Sequence, residues 1–465
     1  MEEIKRNQGT MAYLSDTIVG LATPPGVGGV AIVRLSGPES IALADRLFKS
    51  SKISLVSAAS HTLSYGHFEL GDTISDEVLV SVMRAPKSYT RENVVEINAH
   101  GGVRLAEKMV LALVKRGARR AEKGEFTERA YLNGRIDLTQ AEAVLQMVEA
   151  RTEGGLSAAC FQLHGGLSEG VWRIGESISG ALARIEVGLE FVEDQFMSDV
   201  GNPKAELDGL TSVRDEVGEL LRSYDRGKLA TVGATVVLVG APNVGKSSLL
   251  NTLLGHERAI VTPVPGTTRD VVEGEIDLDG IRVRLLDTAG IRDTDDVVEQ
   301  EGTRRARAAA ERSDLSVLVL DGSGAVPLNL ESWPVHGIVA LNKWDIRVKE
   351  VESEAIRNVG ETPLVRTTAT TGDGIGDLCG AIASALTEGI PDPTGAVVLS
   401  ERHADALSQT AEALDRALVE AKGRGEADLV AADLRLALDS VGLITGETTP
   451  DDVLRAIFDG FCVGK

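Results

Sequence analysis

The spacing of apolar residues changes character several times along this chain of 465 residues. From the start to about residue 130, short β-branched runs alternate with glycine-rich turns. Residues 30–35 and 93–98 predict strands, and 103–116 predict a helix behind His100-Gly101-Gly102. That mixture is an α+β pattern. The period then becomes helical. Leu138, Ala141, Val144, Leu145 and Val148 form one stripe. Ile178, Leu182, Ile185, Leu189, Val192 and Phe196 form a second, and Leu207, Leu210, Val213, Val217, Leu221 and Tyr224 a third. Helical spacing returns late in the chain with Leu407, Ala411, Leu414, Leu418 and Ala421, then with Leu429, Ala432 and Leu436. Thr449-Pro450-Asp451-Asp452 predicts a helix start, with Thr449 as cap, Pro450 in the first helical position and two acids complementing the dipole.

Between the helical stretches the pattern is α/β. Residues 235–239 are a β-branched run that predicts a buried strand, and 247–254 predict a helix ended by Gly255. Residues 273–278 and 281–286 flank Asp279-Gly280, the composition of a tight type I′ hairpin. Neither helical stretch alone carries enough apolar positions for a generous core. One helical bundle split by an inserted domain is the economical reading, with two separate helical domains as its rival. The expected order is an N-terminal domain over 1–130, a first helical half over 131–229, a P-loop domain over 230–389 and a second helical half over 390–465. The fold class is multidomain α/β and α.

Chemistry enters with the loop that joins strand to helix at 240–247, Gly-Ala-Pro-Asn-Val-Gly-Lys-Ser. Glycines at its ends let backbone N–H groups converge on phosphates, the helix N-terminus adds partial positive charge, and Lys246 reaches the β/γ-phosphates. Asn243, Val244, Gly245, Lys246, Ser247 and Ser248 are therefore expected to hold nucleotide, with the Ser247 hydroxyl on Mg²⁺. Thr262-Pro263-Val264-Pro265-Gly266-Thr267-Thr268 is a candidate switch whose Thr268 would complete the Mg²⁺ shell. Asp287-Thr288-Ala289-Gly290 ends the second hairpin strand, where an Asp can serve the metal shell and a glycine backbone can approach a γ-phosphate. Asn342-Lys343-Trp344-Asp345 selects guanine, because its carboxylate accepts from the N1–H and 2-amino edge that adenine lacks. GTP is thus the expected nucleotide. Thr368-Ala369-Thr370 stands where such domains usually carry Ser-Ala-Lys, and the Lys is missing. Ile291 follows the Asp-x-x-Gly turn and cannot orient water, so Glu299 is the candidate for that task; as a residue it reads equally well as a solvated carboxylate.

Charge and cysteine content narrow the class. The formal net charge of −22 excludes bulk affinity for nucleic acid or anionic lipid, so any RNA contact must be local or shared with a partner. The cluster Lys115, Arg116, Arg119, Arg120 and Lys123 is one local candidate, with a solvated helix end as the alternative. Three scattered cysteines, Cys160, Cys379 and Cys462, argue against a zinc site or disulfide framework and for a reducing cytoplasm. No apolar run reaches the ~20 residues that span a bilayer, so no membrane association is expected. Cys462, close to the end of a helical stretch, reads by itself as a small buried hydrophobe.

Several further stretches carry a family likeness: Thr23-Pro24-Pro25-Gly26-Val27-Gly28-Gly29, His100-Gly101-Gly102, residues 124–130 (Gly-Glu-Phe-Thr-Glu-Arg-Ala), residues 133–138 (Asn-Gly-Arg-Ile-Asp-Leu) and the ending Phe461-Cys462-Val463-Gly464-Lys465. In order and over essentially the full length, they resemble the MnmE (TrmE) family of tRNA modification GTPases. The resemblance implies a folate-binding N-terminal domain that dimerises, a split helical domain and an inserted Ras-like GTPase. It implies a homodimer that works with an FAD-dependent MnmG (GidA) partner, adding an aminomethyl-type (carboxymethylaminomethyl) group at C5 of the wobble uridine of certain tRNAs. The one-carbon unit would come from 5-formyl- or methylene-tetrahydrofolate, contacted by Arg34, Glu96, Arg135 and Lys465. Read only as residues, Arg34 and Glu96 could equally be an ordinary strand pair, and Arg135 stands where close relatives carry Lys. The resemblance assigns Cys462 to the modification chemistry and Glu299 to water orientation. It also implies activation by K⁺, held by Asn243, Thr262, Val264 and Thr267. A ribosome-assembly or signalling GTPase, and a folate enzyme with a merely regulatory GTPase, are the alternatives; the former predicts a basic accessory domain that this acidic chain lacks.

Overall fold

The computed structural model describes residues 16–51, 53–71, 74–190, 202–256, 273–287, 310, 312–324, 337–349, 362–388, 398–423 and 425–464. They fall into two compact units, residues 1–145 with 442–465 and residues 146–441.

The first unit is built on a seven-stranded sheet. Its strands are β1 (Ile18–Leu21), β2 (Val30–Ser36), β3 (Phe48–Lys49), β4 (Thr62–Glu69), β5 (Ser75–Met83), β6 (Val94–His100) and β7 (Arg119–Arg120), in the order β3-β4-β5-β6-β2-β1-β7. All pairings are antiparallel except β1 with β7. Alternation decides which face is covered. Val33, Leu35, Val78, Val80, Val82, Val95 and Ile97 point into one core, closed by α1 (Ser40–Asp45) and by Met109, Val110 and Leu113 of α2 (Val103–Val114). The opposite face is exposed over β4 and β5, with Leu63, Tyr65 and Leu79 as exposed apolar residues, and covered at β1, where Phe126 packs with Ile18. Arg34 and Glu96 stand on the covered part of this second face, directly opposite each other across β2 and β6.

Two more helices, α3 (Glu125–Leu132) and α4 (Leu138–Glu149), follow the sheet. The end of α11 (Ala427–Thr445) and α12 (Asp451–Asp459) complete this unit. Phe458 and Phe461 pack with Leu138 and Ala141, so the carboxyl terminus shares a small core with α4 inside this first unit. The α4 stripe is buried only at its start: Val148 is 52% exposed. At α12 the expected cap is corrected. Pro450 itself is the N-cap and makes no side-chain cap bond, while the Thr449 hydroxyl donates back to the Leu443 carbonyl. Asp451 and Asp452 do occupy the first turn.

The second unit holds α5 (Glu153–Leu163), α6 (Gly166–Glu190), α7 (Leu207–Thr231), α10 (Glu401–Lys422) and most of α11, together with a second sheet. The stripes on α6, α7 and α10 are the buried ones: Ile178, Leu182 and Ile185; Leu210, Val213 and Val217; and Leu407 through Ala421. Val192 and Phe196 lie outside the described residues. On α11 the expected face is the wrong one. Leu429 and Leu436 are 50% and 53% exposed, while Val430, Leu434, Ala437 and Val441 are buried. Two parallel stripes one residue apart are equally helical, and the longer apolar one wins the core.

The second sheet runs β13-β12-β11-β8-β10-β9, with β8 (Ala234–Val239), β9 (Glu273–Leu278), β10 (Ile281–Asp287), β11 (Leu315–Asp321), β12 (Gly337–Asn342) and β13 (Leu364–Arg366). Only β9 is antiparallel to its neighbour. β8 is buried on both faces, as a parallel strand in a doubly wound sheet must be. Its Val236 and Leu238 meet α8 (Lys246–His256) and α9 (Ile375–Thr387), and its Val237 and Val239 meet Leu318, Leu320, Val339 and Leu341. The Asp279-Gly280 turn has positive φ at both residues, +51° and +85°, as a type I′ hairpin needs. Helix α8 runs through Gly255 to His256, so that glycine does not stop it.

Candidate functional site

The phosphate loop leaves the carboxyl end of β8 between β10 and β11, where connections diverge to the two halves of the sheet and ligands of such folds bind. The backbone is left-handed at Asn243 (φ +63°) and Gly245 (φ +99°). At Gly245 space forbids a side chain as well, since a Cβ would lie 2.3 Å from Asn342 Nδ2. Lys246 donates to the Gly240 and Ala241 carbonyls at 2.9 Å each. Burial pulls its ammonium below the usual lysine range, and Asp287 opposes that shift. The Ser247 hydroxyl donates to Asp287 Oδ2 at 2.5 Å, which brings two hard oxygen donors of the kind Mg²⁺ takes to one point beside the loop.

The base-reading segment is tied to this loop by hydrogen bonds. Asn342, only 2% exposed, donates from Nδ2 to the Val244 carbonyl at 3.0 Å and accepts at Oδ1 from the Ala369 N–H at 3.1 Å. Thr367 Oγ1 adds a longer contact of 3.4 Å to the same oxygen. Lys343 is left-handed (φ +58°) and spans the gap the other way, from its Nζ to the Asn243 carbonyl at 3.0 Å and to Asp321 Oδ2 at 2.5 Å. Burial raises the Asp321 carboxyl, but Lys343 and Ser323 outweigh it and hold the group below the usual range. Trp344 and Asp345 open a short 3₁₀ turn, with Asp345 exposed. Ser248 is exposed on the first turn of α8. Residues 262–268, Thr288, Ala289, Gly290, Ile291 and Glu299 lie outside the described residues, as does Lys465.

The first unit gathers the other candidates. Arg34 donates from Nε to Glu96 Oε1 at 2.8 Å and from Nη1 to the Gly464 carbonyl at 3.3 Å. Its guanidinium also faces the rings of Phe126 and Tyr89, at 5.5 and 5.8 Å from their centroids. Arg135, exposed, covers the same Tyr89 ring at 5.0 Å and donates to the Tyr89 carbonyl at 3.3 Å. Thus an ion pair, two cations and a flat ring converge beside the last residues of the chain. Those residues are anchored by buried Phe461, by a bridge between Lys123 and Val463 and by the Gly124 N–H to the Cys462 carbonyl. Gly464 is left-handed (φ +101°), and a Cβ there would meet the Leu21 carbonyl at 2.0 Å. Cys462 itself is exposed, which corrects its reading as a buried small hydrophobe; Phe461 takes the core position instead.

Comparison with known proteins now has geometry to meet. A family model described as MnmE helical domain matches residues 138–462, and one described as GTP-binding protein TrmE N-terminus matches 17–135. The tRNA modification GTPase MnmE of Bacillus subtilis is 40% identical over 460 residues, covering 97% of this chain and 100% of its own length. The chain belongs to the MnmE family. The Geobacter metallireducens relative of the same name is 42% identical over 471 residues, again covering 97% and 100%. Among solved structures, the G domain of the T. maritima FeoB iron transporter matches at 27% identity over 33% of this chain and 98% of that one, with a TM-score of 0.24.

In this MnmE-family chain, residues 124–130 prove to be an electrostatic keystone of the first unit. Arg129 is fully buried and binds Asp16, Glu92 and Glu125. Burial works against its charge, and these carboxylates more than offset it. Glu128 is compensated too weakly: burial, then Glu125 and Glu122, push its carboxyl up to about 7 against the opposing pull of Arg129 and Arg455. Arg119 joins the same network through Asp16 and Glu125, which removes it from the basic cluster considered for RNA. Lys115, Arg116, Arg120 and Lys123 remain exposed. Tyr89, Phe126 and Asp321 were not singled out by residue pattern. Tyr89 had a usable signal as a lone aromatic in a chain with 3% aromatic content. Phe126 sits inside a motif already noted, and Asp321 ends an apolar strand.

Proposed function

We propose that the chain is a GTP-hydrolysing switch of tRNA modification. With an FAD-dependent MnmG (GidA) partner, it would install a carboxymethylaminomethyl-type group at C5 of the wobble uridine of certain tRNAs, in the cytoplasm. The observation that carries this reading is the meeting of Arg34, Glu96 and Tyr89 with the backbone two residues beyond exposed Cys462. A carboxylate that can take two donors, a cation and a flat ring suit the edge and face of a pterin. Arg34, Glu96, Arg135 and Lys465 would hold a 5-formyl- or methylene-tetrahydrofolate, which supplies the one-carbon unit when bound. The open sheet face with Leu63, Tyr65 and Leu79 supports homodimerisation through this unit. No helix among the described residues is long and apolar enough to cross a membrane.

On the nucleotide side, backbone N–H groups of 243–248 bind and orient the phosphates. Lys246 meets their charge, Ser247 with Asp287 and Thr268 would hold Mg²⁺, and Asn342 through Asp345 select guanine. Asn243, with Thr262, Val264 and Thr267, would hold K⁺. These cations, when bound, set positive charge against the transferred phosphoryl. Ile291 leaves water orientation to Glu299. GTP turnover by the full chain, measured in K⁺ and in Na⁺ at equal ionic strength, should be many-fold faster in K⁺; equal rates would overturn the cation assignment.

A further inference from the structure

Two arginines lie over the Trp344 ring. The Arg347 guanidinium lies 4.0 Å from its ring centroid and the Arg366 guanidinium 4.9 Å. Arg347 also donates from Nη1 to the Trp344 carbonyl at 3.2 Å, and the Trp344 N–H donates to the Thr367 carbonyl at 3.1 Å. The ring thus joins two segments that both approach the base: the turn Trp344–Ile346 that carries Asp345, and the end of β13 that leads into Thr367-Thr368-Ala369. That turn has no fully buried residue, and its one hold on the core is half-buried Trp344, which packs against the cluster of Val339 and Leu341. A three-residue 3₁₀ turn on the surface is a weak element, held only by what it touches. The second segment lacks the lysine that usually ends it, since Thr370 stands there.

We propose that the Arg347–Trp344–Arg366 stack is a specificity-positioning device: it fixes the Trp344–Ile346 turn against β13 so that the Asp345 carboxylate is aimed at the 2-amino edge of guanine. Trp344 acts through Asp345 and need not touch the base. Cation–ring contacts of this kind are directional and survive at an exposed site; here they fix the outer side of a ring that also packs against the core cluster of Val339 and Leu341. Arg366 and Arg347 are both exposed, so neither is needed to fill the interior.

The inference rests on Asp345 reading the base, and the test separates the two claims. Binding of GDP and of inosine diphosphate, which keeps N1–H but lacks the 2-amino group, is measured by calorimetry on the full chain and its variants. Trp344→Ala should weaken GDP, which loses both bonds to the carboxylate, by at least about tenfold, and inosine diphosphate, which has only the N1–H bond to lose, by a smaller factor. Trp344→Phe should keep the preference, and Arg366→Met should lower it in part without changing thermal stability. An equal fall for both nucleotides in Trp344→Ala, or an unchanged preference, would overturn the stack's role. Asp345→Asn is the reference: if it leaves the preference untouched, base reading by Asp345 is what fails. If it abolishes the preference while Trp344→Ala does not, the positioning role is what fails.

Discussion

Removing the Asn342 side chain should uncouple the phosphate loop from the base-reading loops. The amide is 2% exposed and serves both sides at once, as donor to Val244 O and acceptor from Ala369 N–H. In Asn342→Ala both hydrogen bonds vanish and leave a buried carbonyl and a buried N–H without partners, each costing ~1–3 kcal/mol. Water entering the vacated space would recover part of that, so a net loss of about 3 kcal/mol is expected. The cost falls on the arrangement that nucleotide needs, so GDP affinity should drop on the order of 100-fold. Asn342→Asp is the sharper variant. It keeps the acceptor for Ala369 but turns an oxygen toward Val244 O, so it should lose at least as much. Calorimetric titration of GDP gives the affinity, and amide exchange at Gly245 reports the loop directly. GDP affinity within threefold of wild type in both variants would refute the coupling.

Three further outcomes follow from the first unit. Arg129→Met leaves Glu92 without its principal cation, while Arg119 still serves Asp16 and Glu125; breaking such a buried network should cost ~3–5 kcal/mol, read as an early thermal transition. Glu128, with its carboxyl raised to about 7, favours the folded unit when protonated. Its contribution is full below the ordinary carboxylate range and lost as pH rises through about 7. Glu128→Gln should therefore flatten the pH dependence of the melting temperature between ~4.5 and ~7 and stabilise the unit above it by about 1–2 kcal/mol after solvent screening. Arg34→Gln should weaken 5-formyltetrahydrofolate at least tenfold by calorimetry with GTP turnover unchanged; undiminished folate binding would return Arg34 and Glu96 to an ordinary strand pair.

Local patterns that answer to one physical cause were legible before any coordinates. The Asp279-Gly280 turn needs positive φ twice, and few other residue pairs supply it. The strand, turn and helix around 240–247 were legible because strand, glycines, Lys246 and helix start must occur in that order. What failed were choices between equals. Leu429-Ala432-Leu436, spaced three then four, and Val430-Leu434-Ala437, spaced four then three, are equally helical, and only tertiary packing selects the second. Cys462 could be core or surface until Phe461 is seen to take the buried place. Contacts between residues far apart in the chain were invisible: nothing in either stretch announces that Arg34 meets Gly464 or that Trp344 meets Arg366. Arg119 looked like a free cation because its carboxylate partners carry no spacing signal.

The central claim is tested most directly in tRNA itself. Wobble nucleosides are analysed in a strain deleted for this gene and complemented with the wild-type chain, with Cys462→Ser and with Glu299→Ala. Deletion should remove the C5 aminomethyl-type modification, wild type alone should restore it, and GTP turnover should be retained in Cys462→Ser but lost in Glu299→Ala. Unaltered wobble nucleosides in the deletion strain would contradict it.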